Sequence, residues 1–154
     1  MVNLDVAFVP TPKKIVHRML ELASLRRGET LFDLGAGDGR IIIEAARKFR
    51  AHAVGVEVDP KSIRRIKERL VATGTKADLI EVDMFNVNLA PADVVTIYLS
   101  PSANARLAPK LGAELRPGAR VVSLDYELPE WAPERYTKIE ASGMERTVFL
   151  YKKH

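Results

Sequence analysis

The chain has no cysteine, no glutamine and a single tryptophan among its 154 residues. Without thiols there can be no disulfide, no thiolate metal site and no cysteine nucleophile. A cysteine-free chain suits a reducing compartment. No apolar run approaches the roughly 18–20 residues needed to cross a bilayer. The opening "MVNLDVAFVP" lacks the basic stretch and apolar core of a secretory leader. A cytoplasmic protein without membrane contact is therefore expected. His17, His52 and His154 show no metal-ligand spacing, so no metal is expected. Linkers, repeats and low-complexity tracts are also missing. One domain is expected over 1–154, with an N-terminal segment and helix (1–28) ahead of a core (29–154). Few thermolabile side chains and many charged ones lean towards a thermophile.

What the chain does have is basic charge, a net +4 with a pI near 9.4. Acids are interleaved with these bases, so the charge reads chiefly as a solvated surface, and nucleic acid is the less favoured partner.

Periodicity alternates between strand and helix. Strands are expected at "ETLFDLGA", "AHAVGVEVD", "KADLIEVDM", "ADVVTIYL" and "ARVVSLDYEL". Helices are expected at "PTPKKIVHRMLELA", with Thr11 as cap, at "DGRIIIEAARKFR", and at "PKSIRRIKERLVATG" behind an Asp59 cap. A fourth should run from about Asn104, bent or interrupted by Pro109. Two last strands flank Gly143, and so short a connection forces them antiparallel. The fold class is α/β, a mostly parallel seven-stranded sheet with an antiparallel C-terminal hairpin.

The first strand feeds the loop "DLGAGDGR", with Gly35, Gly37 and Gly39 on alternate positions. Ligands of such sheets sit beyond the strands' carboxyl ends. The dinucleotide spacing G-x-G-x-x-G fails here, because Arg40 stands where the third glycine belongs. Asp33 would also repel a pyrophosphate. At 4 Å and an effective dielectric of 20 it would attract a cation by roughly 4 kcal/mol before desolvation. S-adenosylmethionine carries an ammonium and a sulfonium and no phosphate, so it suits this loop better. Asp38 reads as a cap for the helix opening at Gly39. Glu57 ends the second strand, where an acid can accept both hydroxyls of a ribose. Asp83 closes the third strand, placed for an adenine amine, with Met84 or Phe85 on the ring.

"FDLGAGDGR", "VGVEVDP" and "EVDMF" resemble the first three motifs of class I, seven-strand S-adenosylmethionine-dependent methyltransferases. The resemblance implies a Rossmann-like sandwich. It also implies cofactor contacts from Pro10, Thr11, Asp33, Leu34, Gly35, Gly37, Gly39, Glu57, Val58, Asp83 and Met84. Thr11 has two readings, helix cap or partner of the cofactor's carboxylate.

The fourth strand ends "YLSPSAN", unlike the Asn/Asp-Pro-Pro-aromatic run of many methyltransferases acting on adenine or glutamine. Together with "FVPTP" and "PGARVVSLDYEL" it resembles archaeal broad-specificity protein-lysine methyltransferases, related to mitochondrial lysine methyltransferases. Members more often carry Tyr where this chain has Phe8 and Leu where it has Ser100, so position 8 receives no polar role. That resemblance implies protein substrates with exposed lysines and a monomer. Tyr98, Ser100 and Asn104 are the substrate-side candidates, although Tyr98 also reads as a packed strand residue and Ser100 and Asn104 as the start of the fourth helix; Asp125, Tyr126 and Trp131 stand at the channel mouth or, for Trp131, as a structural plug. The alternatives are an RNA methyltransferase and a non-catalytic S-adenosylmethionine-binding module.

Overall fold

A computed structural model describes residues 10–154; Phe8 lies outside them. The elements run α1 (Lys13–Leu22), β1 (Thr30–Leu34), α2 (Arg40–Lys48), β2 (His52–Val56), α3 (Pro60–Thr73), β3 (Asp78–Ile80), β4 (Val94–Ile97), α4 (Pro101–Glu114), β5 (Arg120–Leu124), β6 (Arg135–Ala141) and β7 (Met144–Lys152).

The seven strands form one sheet in the order β3-β2-β1-β4-β5-β7-β6. The first five are mutually parallel, and β7 pairs antiparallel with both β5 and β6. Ser142 and Gly143 both take positive φ, 54° and 75°, the two-residue turn whose twist matches a hairpin.

Successive residues of each central strand enter opposite cores. Leu31, Val94 and Val122 join Met19 and Leu20 of α1 and Ile42 of α2. Phe32, Val95 and Val121 join Leu107 and Leu111 of α4. Burial on both faces is why these strands read as continuous apolar runs. Strand order reverses between β1 and β4, which opens a crevice beyond their carboxyl ends.

Three expectations change. β3 stops at Ile80, well short of Asp83. Asp83 instead makes a turn, its side chain accepting Phe85 N–H at 2.9 Å and its carbonyl accepting Asn86 N–H at 2.9 Å. Helix α4 starts at Pro101 rather than near Asn104, because Ser100 Oγ caps Ala103 N–H at 3.2 Å and proline suits the first helical position. It also continues through Pro109. The carbonyl left unpaired there belongs to exposed Ala105, where water can serve it. At α1 the cap position falls on Pro12 with no side-chain cap bond, so Thr11 does not cap the helix.

Candidate functional site

The glycine loop leaves β1 and is pinned at once to the end of β2. Gly35 and Ala36 N–H both donate to the Val56 carbonyl, at 2.8 and 3.1 Å. Gly35 has φ 76°, and a Cβ there would meet Leu99 Cδ2 at 3.4 Å and Met84 Cε at 3.6 Å. The missing side chain therefore brings the β4 and β3 tips over the loop. Gly39 (φ 83°) is the N-cap residue of α2 and lies against Ile66 of α3.

Glu57 sits just past β2 and closes the loop from the side. Its Oε1 accepts Gly37 N–H at 2.8 Å, and its Oε2 accepts Val58 and Asp59 N–H at 2.9 and 3.1 Å. A carboxylate has about four lone-pair sites, so acceptor capacity remains for a ligand hydroxyl. Asp59 caps α3 by accepting Ser62 N–H at 3.2 Å.

Asp33 is 3% exposed at the base of the loop. Its one hydrogen-bond partner among the described residues is Thr96 of β4, whose hydroxyl donates at 2.8 Å. The parallel register sets Asp33 beside Thr96. Burial pushes the Asp33 carboxyl up to about 8, against the Thr96 bond and with help from the nearby Glu57 and Asp38 charges. A buried acid lacking a cationic partner is a receptor for one. An ammonium fits this place and a pyrophosphate does not, so the donor set suits S-adenosylmethionine.

Asp38 behaves differently. Burial opposes its charge, but the Arg40 hydrogen bonds and the Arg40 and Arg69 guanidinium charges hold its carboxyl below the ordinary range. It accepts Arg40 N–H at 3.2 Å, at the first turn of α2, and pairs with Arg69 at 2.7 Å. Arg40 Nη1 then reaches out and donates to the Thr11 carbonyl at 2.7 Å. This fastens the segment of Pro10 (exposed) and Thr11 (buried) to the loop.

On the other side of the crevice, Tyr98 is half-buried just past β4. The Arg146 guanidinium of β7 lies 5.3 Å from its ring centre. Asp125 fixes Arg146 through a 2.8 Å bond from Nε and a 2.7 Å ion pair. Asn104 is fully buried, and its Nδ2 donates to the Tyr126 and Glu127 carbonyls at 3.2 and 3.1 Å. It ties α4 to the segment after β5, while its buried Oδ1 has no hydrogen-bond partner among the described residues. Ser100 is spent on the α4 cap. Trp131 packs edge-on to Tyr151 in the core beside α4, as a plug. Phe85 has the Arg106 guanidinium 3.9 Å from its ring centre. Met84, which lies over Gly35, is left as the side chain of the pair nearer the loop.

Sequence reasoning missed Thr96, Leu99, Arg40 and Arg146. Thr96 had a signal, being the one polar residue of the otherwise apolar β4. No group of three or more metal-ligating side chains occurs among the described residues.

Residues 33–135 match the family model described as the ANTKMT methyltransferase domain. The chain is 43% identical over 149 residues to a protein-lysine N-methyltransferase of Saccharolobus islandicus, covering 95% of this chain and 92% of that one. It is 33% identical to the mouse adenine nucleotide translocase lysine N-methyltransferase, covering 99% of this chain and 65% of the mouse protein. A solved structure described as an RNA methyltransferase from Salinibacter ruber in complex with S-adenosyl-L-homocysteine superposes with a TM-score of 0.86. It shares 41% identity and covers 94% of this chain and 93% of that chain.

Proposed function

The chain belongs to the ANTKMT methyltransferase-domain family, and from that premise we propose that it methylates lysine side chains of proteins. S-adenosylmethionine supplies the methyl group on a sulfonium that activates it for displacement. The observation that carries this reading is the buried Asp33 carboxyl at the base of the glycine loop, bonded to Thr96 with no cation beside it among the described residues.

Asp33 serves the donor's ammonium, Glu57 its ribose and the turn at Asp83 its adenine edge. Arg40 holds Pro10 and Thr11 across the loop. With its capping reading excluded, Thr11 is assigned to the donor's carboxylate. Leu34, Gly35, Gly37, Gly39, Val58 and Met84 complete that surface by backbone and apolar contact.

The acceptor must arrive as a neutral amine, although a free lysine titrates near 10.4. Tyr98 offers an aromatic wall at the crevice, and desolvation beside it favours the uncharged amine. The Arg146–Asp125 pair holds that wall in place. Alignment and exclusion of water supply the rate without a dedicated strong base. The relatives named for lysine methylation favour a protein acceptor, as does "YLSPSAN" in place of an Asn/Asp-Pro-Pro-aromatic run. No described helix is long and apolar enough to cross a membrane. The cysteine-free composition supports work in the cytoplasm.

The test is radiolabelled S-adenosylmethionine added to a cell extract, followed by mass spectrometry of the protein and RNA fractions. Label on lysine is expected. The Salinibacter neighbour's description makes RNA the second reading, and label confined to RNA would establish it.

A further inference from the structure

A hollow of about 360 Å³ lies at the opposite end of the sheet from the glycine loop. Four cations line it: Arg27 ahead of β1, Arg47 and Arg50 at the end of α2, and Lys76 between α3 and β3. All four are exposed. The length of β1, at about 3.3 Å per residue, puts roughly 16 Å between the hollow and the loop.

Helix ends explain only part of this cluster. Arg47 donates to the Thr73 carbonyl at 2.7 Å, an ordinary use of a cation near a helix C-terminus. Arg27, Arg50 and Lys76 have no side-chain partner among the described residues. The nearest acids do not line the hollow: Glu29 pairs with Arg120, and Asp78 bonds to the His52 ring. Arg50 holds a left-handed φ of 56° where a helix exit usually recruits glycine, and its carbonyl accepts Gly28 N–H at 3.1 Å. Like charges gathered without a counter-charge repel one another, and a polyanion relieves that repulsion.

The lining also selects among polyanions. Three guanidinium forks match the paired oxygens of phosphate. Large apolar anchors, which a protein partner would need at the centre of its footprint, are missing from the lining. Aromatic rings for base stacking are missing too. The cations converge on a concavity, which a flexible strand can enter and the convex face of a duplex cannot. We propose that this hollow docks the phosphate backbone of single-stranded nucleic acid, without sequence preference and remote from methyl transfer. It stands apart from the methyl-transfer assignment and does not depend on it.

The test is fluorescence anisotropy of labelled oligouridine, and of oligothymidine as the DNA source, across a salt series. Up to four phosphate contacts predict a slope of log affinity against log salt of about −2 to −3. The double variant Arg27→Glu/Lys76→Glu should bind at least about tenfold more weakly, with a slope shallower by about 1.4. Its thermal midpoint and its methyl transfer to a free protein substrate should stay unchanged. Equal affinity in the variant, or affinity independent of salt, overturns the proposal. Polyglutamate bound as tightly as oligouridine and lost in the same variant also overturns it, in favour of an acidic protein surface.

Discussion

Arg40 leaves the glycine loop and donates to the backbone carbonyl of Thr11, 2.7 Å away and 29 positions earlier in the chain. The residue that breaks the dinucleotide spacing is thus the one that fastens the N-terminal segment over the loop. Replacing Arg40 by Ala should raise the KM for the methyl donor by about 10–150-fold, the cost of one charge-assisted bond of roughly 1.5–3 kcal/mol. Asp38 keeps Arg69 at 2.7 Å, so the fold should survive. Hydrogen exchange in the first turn of α1 should quicken in parallel; unchanged exchange together with unchanged KM would remove Arg40 from this role.

Asp33 gives a pH dependence with a definite sign. Its carboxyl sits at about 8 in the folded protein against an ordinary 3.8. Between those values the unfolded chain has released the proton and the folded chain keeps it, so stability falls as pH rises from about 4 to 8 and levels off above. The span is several kcal/mol, on the order of 5. Subtracting the unfolding free energy of Asp33→Asn from that of the wild type at each pH should reveal this slope. The variant should be the more stable at pH 8, yet bind the methyl donor at least about tenfold more weakly. Wild-type affinity should rise with pH towards 8, because an ammonium needs the ionised acid. A flat difference curve would show that the acid is already charged.

Glu57 holds three backbone N–H groups, those of Gly37, Val58 and Asp59. Glu57→Ala leaves them without an acceptor and removes the one offered to the ribose. Stability should fall by about 1–3 kcal/mol and donor affinity by about 10–100-fold. Calorimetry that returned the wild-type affinity would take Glu57 out of the site.

Tyr98 should separate binding from turnover. Tyr98→Ala removes the ring that faces the Arg146 guanidinium at 5.3 Å; kcat should drop at least about tenfold with donor affinity unchanged. Tyr98→Phe keeps the wall and should retain most activity. Equal losses of kcat and donor affinity in the alanine variant would move Tyr98 to the donor side.

The features legible in the sequence are those settled within a few residues. The Asp59 cap, the glycines at positive φ and the Ser142–Gly143 turn each follow from local backbone chemistry. The sheet's mixed direction also follows, because a short connection cannot return a parallel strand. The start of α4 was local too, since Ser100 already reads as a helix start and Pro101 behind it fixes the first helical position. What the sequence concealed depends on register. Nothing in "VVTIYL" says that Thr96 faces Asp33 until β4 is known to pair with β1. Arg146 meets Tyr98 only because β7 lies antiparallel beside β5. Asn104 reads as a substrate-side amide in the sequence, and its full burial with Nδ2 on the Tyr126 and Glu127 carbonyls shows only once β5 and α4 are packed together.

The Asp33–Thr96 bond joins positions 63 residues apart. During synthesis the glycine loop leaves the ribosome long before β4 exists to complete it. A nascent chain ending before Thr96 exposes Asp33 without the Thr96 hydroxyl, on an edge strand that water can reach. Such a chain has no reason to keep that acid protonated and no wall to hold a methyl donor. Competence to bind the donor should therefore arrive late and all at once, when β4 closes the middle of the sheet.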